Sequence, residues 1–429
     1  MKILPVTAAA AAVALALAAC GDGASETGEA GAASGSGEPT TLRLWLNGED
    51  TPDEMVDLAI AEFAETHPEV EVVFERQQWT GLVERLTTSL SSSDSPDIVE
   101  LGNTQAQAFE AAGALADLTD DRDVLGGDDL LQSLVEAGTY DGRFYAVPYY
   151  AGARIVVYRT DLVEASGLAV PTTMAEFVEA GATLKADNAD VPGFSGIHWP
   201  GKYWYAALPF VWEHGGEIAV QGDDGQWTGQ LSSPESVAGL EMVQDAITRA
   251  SGAPADGDES TDHVDFCNGQ VGMLMGPGWK VGQILDEADG CPELADSVGA
   301  FALPGLEPGT TAPVFLGGSN LAVSAASPNR DLAVEFLSIM LGEEYQTQFA
   351  ELGLLPARTS LLGEVSGDEA AQAQAAAAQN SRFVPSSENW AGVEAAGVLP
   401  DMLVRIARGE DVTGAAADAD ADLTEILNG

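Results

Sequence analysis

Between residues 41 and 101 the chain switches repeatedly between two apolar rhythms, and this alternation limits the fold more than any other feature of the sequence. Thr41-Leu42-Arg43-Leu44-Trp45-Leu46 alternates with period two and breaks at Asn47-Gly48, which predicts a strand. Thr51-Pro52-Asp53-Glu54 then opens a helix with Met55, Leu58, Ala59 and Phe63 at helical spacing and Pro52 in its first turn. A second strand over residues 70–74 leads through Gln77-Gln78-Trp79 into a helix bearing Leu82, Val83, Leu86 and Leu90. A third strand over 96–101 stops at Gly102-Asn103. Strand, helix, strand, helix, strand at this rhythm predicts an α/β fold with parallel strands joined by crossover helices. In open α/β sheets ligands gather at the carboxyl ends of strands. Asn47, Gln78, Trp79, Asn103 and Thr104 all stand at such ends.

An extended stretch over residues 144–158 follows, and beyond it the α/β pattern begins afresh. Helices are predicted over 174–184, 234–249, 330–341 and 370–380, and extended segments over 272–275 and 314–323. The strand at 272–275 runs into Gly276-Pro277-Gly278, after which comes Trp279. Glycine and proline on that approach predict a loop, so the largest side chain stands where nothing local covers it. It either folds back into the core or waits for something flat.

Residues 1–19 are read as a leader outside the fold: Lys2 precedes an apolar run over 6–18 that is too short to span a bilayer, which takes ~20 residues. Leu17-Ala18-Ala19-Cys20 looks like a lipobox, whose cysteine would take a diacylglyceryl group; a plain secretory signal with an incidental Cys20 is the alternative. Residues 21–39 hold no apolar residue larger than alanine, so residues 20–39 are expected to form an anchor site and flexible tether. The working domain is therefore expected outside the cytoplasmic membrane and anchored to it. The remaining chain is long enough for two lobes rather than one. A net charge of −51, from 68 acids and 17 bases, excludes nucleic acid as a partner and suits a self-repelling monomer. Apart from Cys20 there are only Cys267 and Cys291. In an oxidising compartment pairing is the simplest state, closing a loop worth roughly 3 kcal/mol, with two buried thiols the alternative. No metal site is expected, since no histidine stands at ligand spacing from either cysteine, and no cofactor is expected.

The order of motifs resembles the extracellular solute-binding proteins of carbohydrate ABC importers, including the maltodextrin-binding proteins. The landmarks are Trp45-Leu46-Asn47-Gly48, Ser95-Pro96-Asp97-Ile98-Val99, Val147-Pro148-Tyr149 before Val157-Tyr158-Arg159, Phe266 to Gly269 followed by Met273 and Trp279, Gly317-Gly318-Ser319-Asn320, and Leu355-Pro356-Ala357-Arg358. Singly each is weak, but in order they are specific. The resemblance implies a two-lobed binding-protein fold of the type II class, with parallel-rich mixed sheets and crossing strands at a hinge. Its lobes would be 40–150 plus 320–357 and 151–316 plus 358–429, closing over a ligand. It also implies delivery of the ligand to the membrane subunits of a permease, and no catalysis.

In that family the tryptophan at the position of Trp279 stacks on a sugar ring. An indole suits the apolar C–H face of a pyranose, while the hydroxyls require convergent polar groups. Trp390 resembles a further stacking position of the family. Trp199 and Tyr203 are expected as ligand contacts. Trp204 is divided between cleft and core, because Trp204, Leu208 and Trp212 share a helical face that reads as core. Asn47, Glu49, Gln78, Trp79, Asn103, Thr104, Tyr150, Gly318, Ser319 and Asn320 fall where the cleft would lie, although Asn is also a common turn residue. Glu49 or Asp50 stands for the family's charged residue after the first strand. Arg154 and Arg358 could reach hydroxyls or hold the hinge.

A glycoside hydrolase is disfavoured because no pair of carboxylates is marked out as acid and nucleophile among so many. There is no G-x-S-x-G elbow and no glycine-rich phosphate loop. A receptor for a polyamine remains open, since an acidic and aromatic cleft could cage a cation.

Overall fold

The computed structural model describes residues 40–429 apart from 49, 80, 93, 289, 353, 364 and 366–368. The leader, Cys20, the tether and Glu49 therefore lie outside the described residues. Ten strands form one mixed sheet: β1 Thr40–Asn47, β2 Val70–Gln77, β3 Ile98–Gly102, β4 Ala146–Arg159, β5 Ser195–His198, β6 Val271–Pro277, β7 Val298–Phe301, β8 Val314–Val323, β9 Leu355–Pro356 and β10 Ser381–Arg382. The main path runs β2-β1-β3-β8-β4-β6-β5.

The first three strands are parallel, as their rhythm predicts, with Thr40 opposite Val70 and Leu44 opposite Ile98. Alternation along β1 decides what covers each face. Leu42, Leu44 and Leu46 enter a core with Met55, Val56, Ala59 and Phe63 of the helix Asp53–Thr66. Trp45 points the other way, onto Leu82, Leu86 and Leu90 of the helix Leu82–Leu90. Leu58, expected on the buried stripe, is exposed, because the helix turns its Met55-Val56-Ala59 face to the sheet.

Two long strands tie the halves of the sheet together. β4 pairs antiparallel with β8 through its first part and with β6 and β7 through its second. β8 also pairs antiparallel with β3, and its register against β4 shifts between Ser319 and Asn320. At that bulge Gly318 has φ 149, and an added Cβ would lie 2.3 Å from the Tyr150 carbonyl oxygen, so the position accepts only glycine. Fourteen residues of β4, at ~3.3 Å each, suffice to span both halves.

The second half packs its largest core around Phe177, Trp199, Phe210, Trp212, Leu240 and Leu403. The helices Trp390–Ala396, Val398–Ala407 and Val412–Leu427 complete this half and were not resolved by the periodicity of the sequence. Cys267 and Cys291 are joined by a disulfide, with Cα atoms 5.5 Å apart.

Candidate ligand-binding cleft

β3 ends at Gly102 and the chain turns through Asn103–Gln105. Asn103 fixes this turn to the neighbouring strand: its Nδ2 donates to the Leu316 carbonyl at 2.9 Å and its Oδ1 accepts from the Thr104 amide at 3.0 Å. Facing it, β6 runs out at Pro277 and Trp279 opens the short helix Trp279–Ile284, where a loop was expected. After Gly278 nothing in the sequence forbids helical backbone, and the turn is short enough to leave the ring uncovered. Trp279 is 41 % exposed. Its ring lies across Gly152 of β4, where an added Cβ would come within 2.2 Å of the indole.

A cavity of about 440 Å³ opens between these elements, within the ordinary range for small-molecule sites. Asn103 and Thr104 form one side, Gly152 and Phe315 lie on the crossing strands, and Trp279 and Tyr205 supply aromatic surface. Arg154, Glu259, His263 and Lys280 bring charge. Arg154 donates to both oxygens of Glu259, at 3.0 and 3.3 Å, and to the Tyr203 hydroxyl at 2.9 Å. Its guanidinium carbon lies 5.0 Å from the centre of the Tyr203 ring and 4.9 Å from that of Tyr205. Burial disfavours both charges, but each outweighs this for the other: Glu259 is held below the usual carboxylate range and Arg154 is raised. Lys280 Nζ is 2.6 Å from Asp262 Oδ1, a buried pair. The cationic groups Arg154 and Lys280 are thus matched by carboxylates.

A second cavity of about 240 Å³ adjoins the first, sharing Tyr205. Trp204 stacks on Tyr205 with ring centres 3.7 Å apart, and Trp390 lies 6.2 Å from Trp204. Glu394 contributes the carboxylate, and Thr104 Oγ1 donates to its Oε2 at 3.4 Å. Burial pushes the Glu394 carboxyl up, against the donors Trp390, Thr104 and Tyr205 around it.

Of the residues expected at the cleft, Asn103, Thr104, Arg154 and Trp279 line the first cavity, and Trp204 and Trp390 the second. Trp199 does not reach either: it is buried against Phe210 in the core of the second half. Tyr203 is buried behind Arg154, which it positions. Asn47 is an internal brace, its amide donating to Glu100 Oε2 at 2.7 Å and its Nδ2 to the Glu100 carbonyl at 2.8 Å. Asn320 is fully buried, donating to the carbonyls of Leu134 and Ala146 at 3.1 Å each. Ser319 is fully buried and Gly318 serves the bulge. Tyr150 is buried and donates to Asp50 Oδ2 at 3.0 Å, and Trp79 Nε1 donates to the same oxygen at 3.0 Å. Trp79 is 37 % exposed and Gln78 is exposed, but neither lines the cavities. Arg358 holds chain segments together through the Leu341 carbonyl at 2.6 Å and Asp129 at 3.3 Å.

Sequence reasoning missed Tyr205, Glu259, His263, Lys280, Phe315 and Glu394. Lys280 carried a signal: it is one of four lysines in an acidic chain and directly follows Trp279.

A family model described as bacterial extracellular solute-binding protein matches residues 48–347. The diacetylchitobiose binding protein DasA of Streptomyces coelicolor is 32 % identical over 404 residues, 93 % of this chain and 92 % of that protein. The lactose-binding protein of Rhizobium radiobacter is 28 % identical over 333 residues, 72 % of this chain and 69 % of its own. Among solved structures, the sugar-binding protein MalE of Xanthomonas citri superposes with a TM-score of 0.78 at 23 % identity, covering 91 % of this chain and 98 % of that one. A cyclo/maltodextrin-binding protein complexed with maltotetraose gives a TM-score of 0.75 at 21 % identity, with coverage of 91 % and 98 %.

Proposed function

Because the chain belongs to the bacterial extracellular solute-binding proteins, we propose that it is the receptor of an ABC importer that captures a di- or oligosaccharide and hands it to the permease. The observation that carries this reading is Trp279: an indole 41 % exposed on the wall of a cavity of about 440 Å³, ringed by groups that hydrogen-bond. Covering such a ring with the C–H face of a sugar removes apolar surface from water, while Asn103, Thr104, Arg154 and Glu259 meet the hydroxyls. The first relative named above binds an acetylated disaccharide, and the superposed structures are of sugar-binding proteins, which supports the same ligand class.

Capture proceeds by closure of two lobes, 40–150 plus 320–357 and 151–316 plus 358–429, about the strands they share. The receptor works outside the cytoplasmic membrane as a monomer, anchored through a lipid on Cys20, and returns its ligand chemically unchanged. A diamine finds less support, because Glu259 at the cavity already holds Arg154 and the buried Asp262 behind it holds Lys280.

A thermal-shift screen against mono- and oligosaccharides tests the reading. A ligand at ~100 times its dissociation constant adds about 2.7 kcal/mol and raises Tm. A shift with putrescine or spermidine and none with any saccharide overturns it. Recovery of the oligosaccharide as shorter fragments overturns the assignment as a non-catalytic receptor.

A further inference from the structure

Arg154 has the surroundings of a site for an anion. It lines the first cavity from the crossing strand β4, with the rings of Tyr203 and Tyr205 centred 5.0 and 4.9 Å from its guanidinium carbon. A planar fork of donors so placed takes a carboxylate through two parallel charge-assisted bonds. Here that place is filled from within the chain. Glu259 Oε2 accepts from Nη1 at 3.0 Å and Oε1 from Nη2 at 3.3 Å. Glu259 is also the more open member of the pair, its side chain 36 % exposed against 11 % for Arg154. The other strong base lining the cavity, Lys280, is held by the buried Asp262, whose Oδ1 also lies 3.7 Å from His263 Nδ1. An acidic group entering the cavity thus meets a carboxylate at the wall, while Arg154 and Lys280 already have their own. Leaving water there costs the desolvation of a charge, with repulsion in place of a partner. A hydroxyl meets no such obstacle, because it donates to the carboxylate.

We propose that Glu259 is a specificity gate: by occupying the carboxylate place on Arg154 it restricts the receptor to uncharged saccharides and refuses those bearing a carboxylate. The proposal rests on the carbohydrate reading above and adds to it the class of sugar excluded and the residue that excludes it. Removing Glu259 should turn the same cavity toward acidic ligands, with Arg154 as the group that receives them.

Thermal shift and calorimetry on the full chain test it. Glu259→Ala vacates the carboxylate place in front of the guanidinium. Sodium acetate should therefore raise the Tm of Glu259→Ala above its value in sodium chloride at equal ionic strength. Neither the wild type nor the double variant Arg154→Met with Glu259→Ala should respond. Cellobiose, lactose and maltose are then compared with the same disaccharides carrying a carboxylate in place of a C6 hydroxymethyl group. The wild type is expected to bind the neutral form at least tenfold more tightly than its acidic counterpart. Glu259→Gln keeps the side-chain volume and should lose at least tenfold of that discrimination, which covers the case in which Glu259→Ala fails to fold. Equal affinity of the wild type for both forms, or an unchanged ratio in Glu259→Gln, overturns the gate while leaving the carbohydrate reading intact. So does a folded Glu259→Ala that responds to acetate no more than the wild type. Binding of no saccharide in either form overturns the carbohydrate reading and this inference with it.

Discussion

The indole of Trp279 packs against Gly152, so close that a single carbon added at Gly152 would sit 2.2 Å from the ring. The crossing strand β4 thus provides a seat for this ring, and only a glycine leaves room for it. Gly152→Ala is expected to push the ring off that seat and weaken sugar binding about as much as Trp279→Ala does. Covering roughly 100 Å² of indole at ~25 cal/mol per Å² contributes about 2.5 kcal/mol, or roughly 70-fold in Kd. Trp279→Ala should show that loss by calorimetry with little change in Tm, because the ring is 41 % exposed in the free protein. Unchanged affinity in Trp279→Ala would remove the indole from the binding site.

Arg154 and Glu259 form a two-bond pair at the cavity edge, with Arg154 largely buried beneath Tyr203 and Tyr205. Neutralising one partner strands the other, which costs more than losing both. Glu259→Gln is expected to destabilise by roughly 2–3 kcal/mol, lowering Tm by about 3–4 °C in a chain of this length. The double variant Arg154→Met with Glu259→Gln should lose less. A double variant no more stable than Glu259→Gln alone would mean that the pair does not govern the local fold.

The parts of the fold that could be read in the sequence are those where period and burial coincide. In β1 the alternation of Leu42, Leu44 and Leu46 against Trp45 corresponds to two separate cores, so the strand, its parallel partners and its covering helices all followed from spacing. The helix Val412–Leu427 gave no comparable contrast, because alanine and aspartate alternate through much of it. Trp279 stood out because Gly276, Pro277 and Gly278 strip away local cover. Trp199 and Trp390 did not sort in the same way: depth is set by distant partners such as Phe210 and Trp204, which no local pattern reports. Asn47 and Asn320 were legible as special but not as to role, since a strand-end amide can meet a ligand or bind Glu100, Leu134 and Ala146 as these do. Glu259 and Glu394 were lost among 68 acidic residues.

Glu110 is buried with neither carboxyl oxygen hydrogen-bonded, and burial pushes its pKa up to about 8. Glu100, whose Oε2 accepts from Asn47, is pushed by burial to about 7. In the unfolded chain both titrate near 4.3, so between pH ~4.3 and ~8 the folded state holds protons that the unfolded state has lost. Stability should therefore fall as pH rises through that window. Glu110→Gln removes the buried charge and is expected to be more stable than the wild type at pH 8 by about 4–5 kcal/mol, with little difference at pH 4.5. Chemical denaturation at the two pH values measures this, and an equal effect at both would mean that Glu110 is not protonated by burial.

The disulfide between Cys267 and Cys291 closes the segment that contains β6, Trp279 and Lys280, so the bond encloses the aromatic wall of the cavity. Constraining a loop of sequence separation 24 stabilises the fold by about 3 kcal/mol through the entropy of the unfolded chain. A second consequence concerns the ligand. Within the loop the helix Trp279–Ile284 is only six residues long, and Cys291 donates its amide to the Ile284 carbonyl at 2.6 Å just beyond it. Such a short helix has little stability of its own and relies on its anchors. Replacing both cysteines by alanine should therefore lower Tm and also raise the Kd for oligosaccharide several-fold, measured below the new Tm where the protein is folded. Trp279 should in addition become more accessible to acrylamide quenching than in the parent. Loss of stability with unchanged affinity and unchanged quenching would make the disulfide a clamp on the fold alone, with no part in holding the Trp279 ring against Gly152.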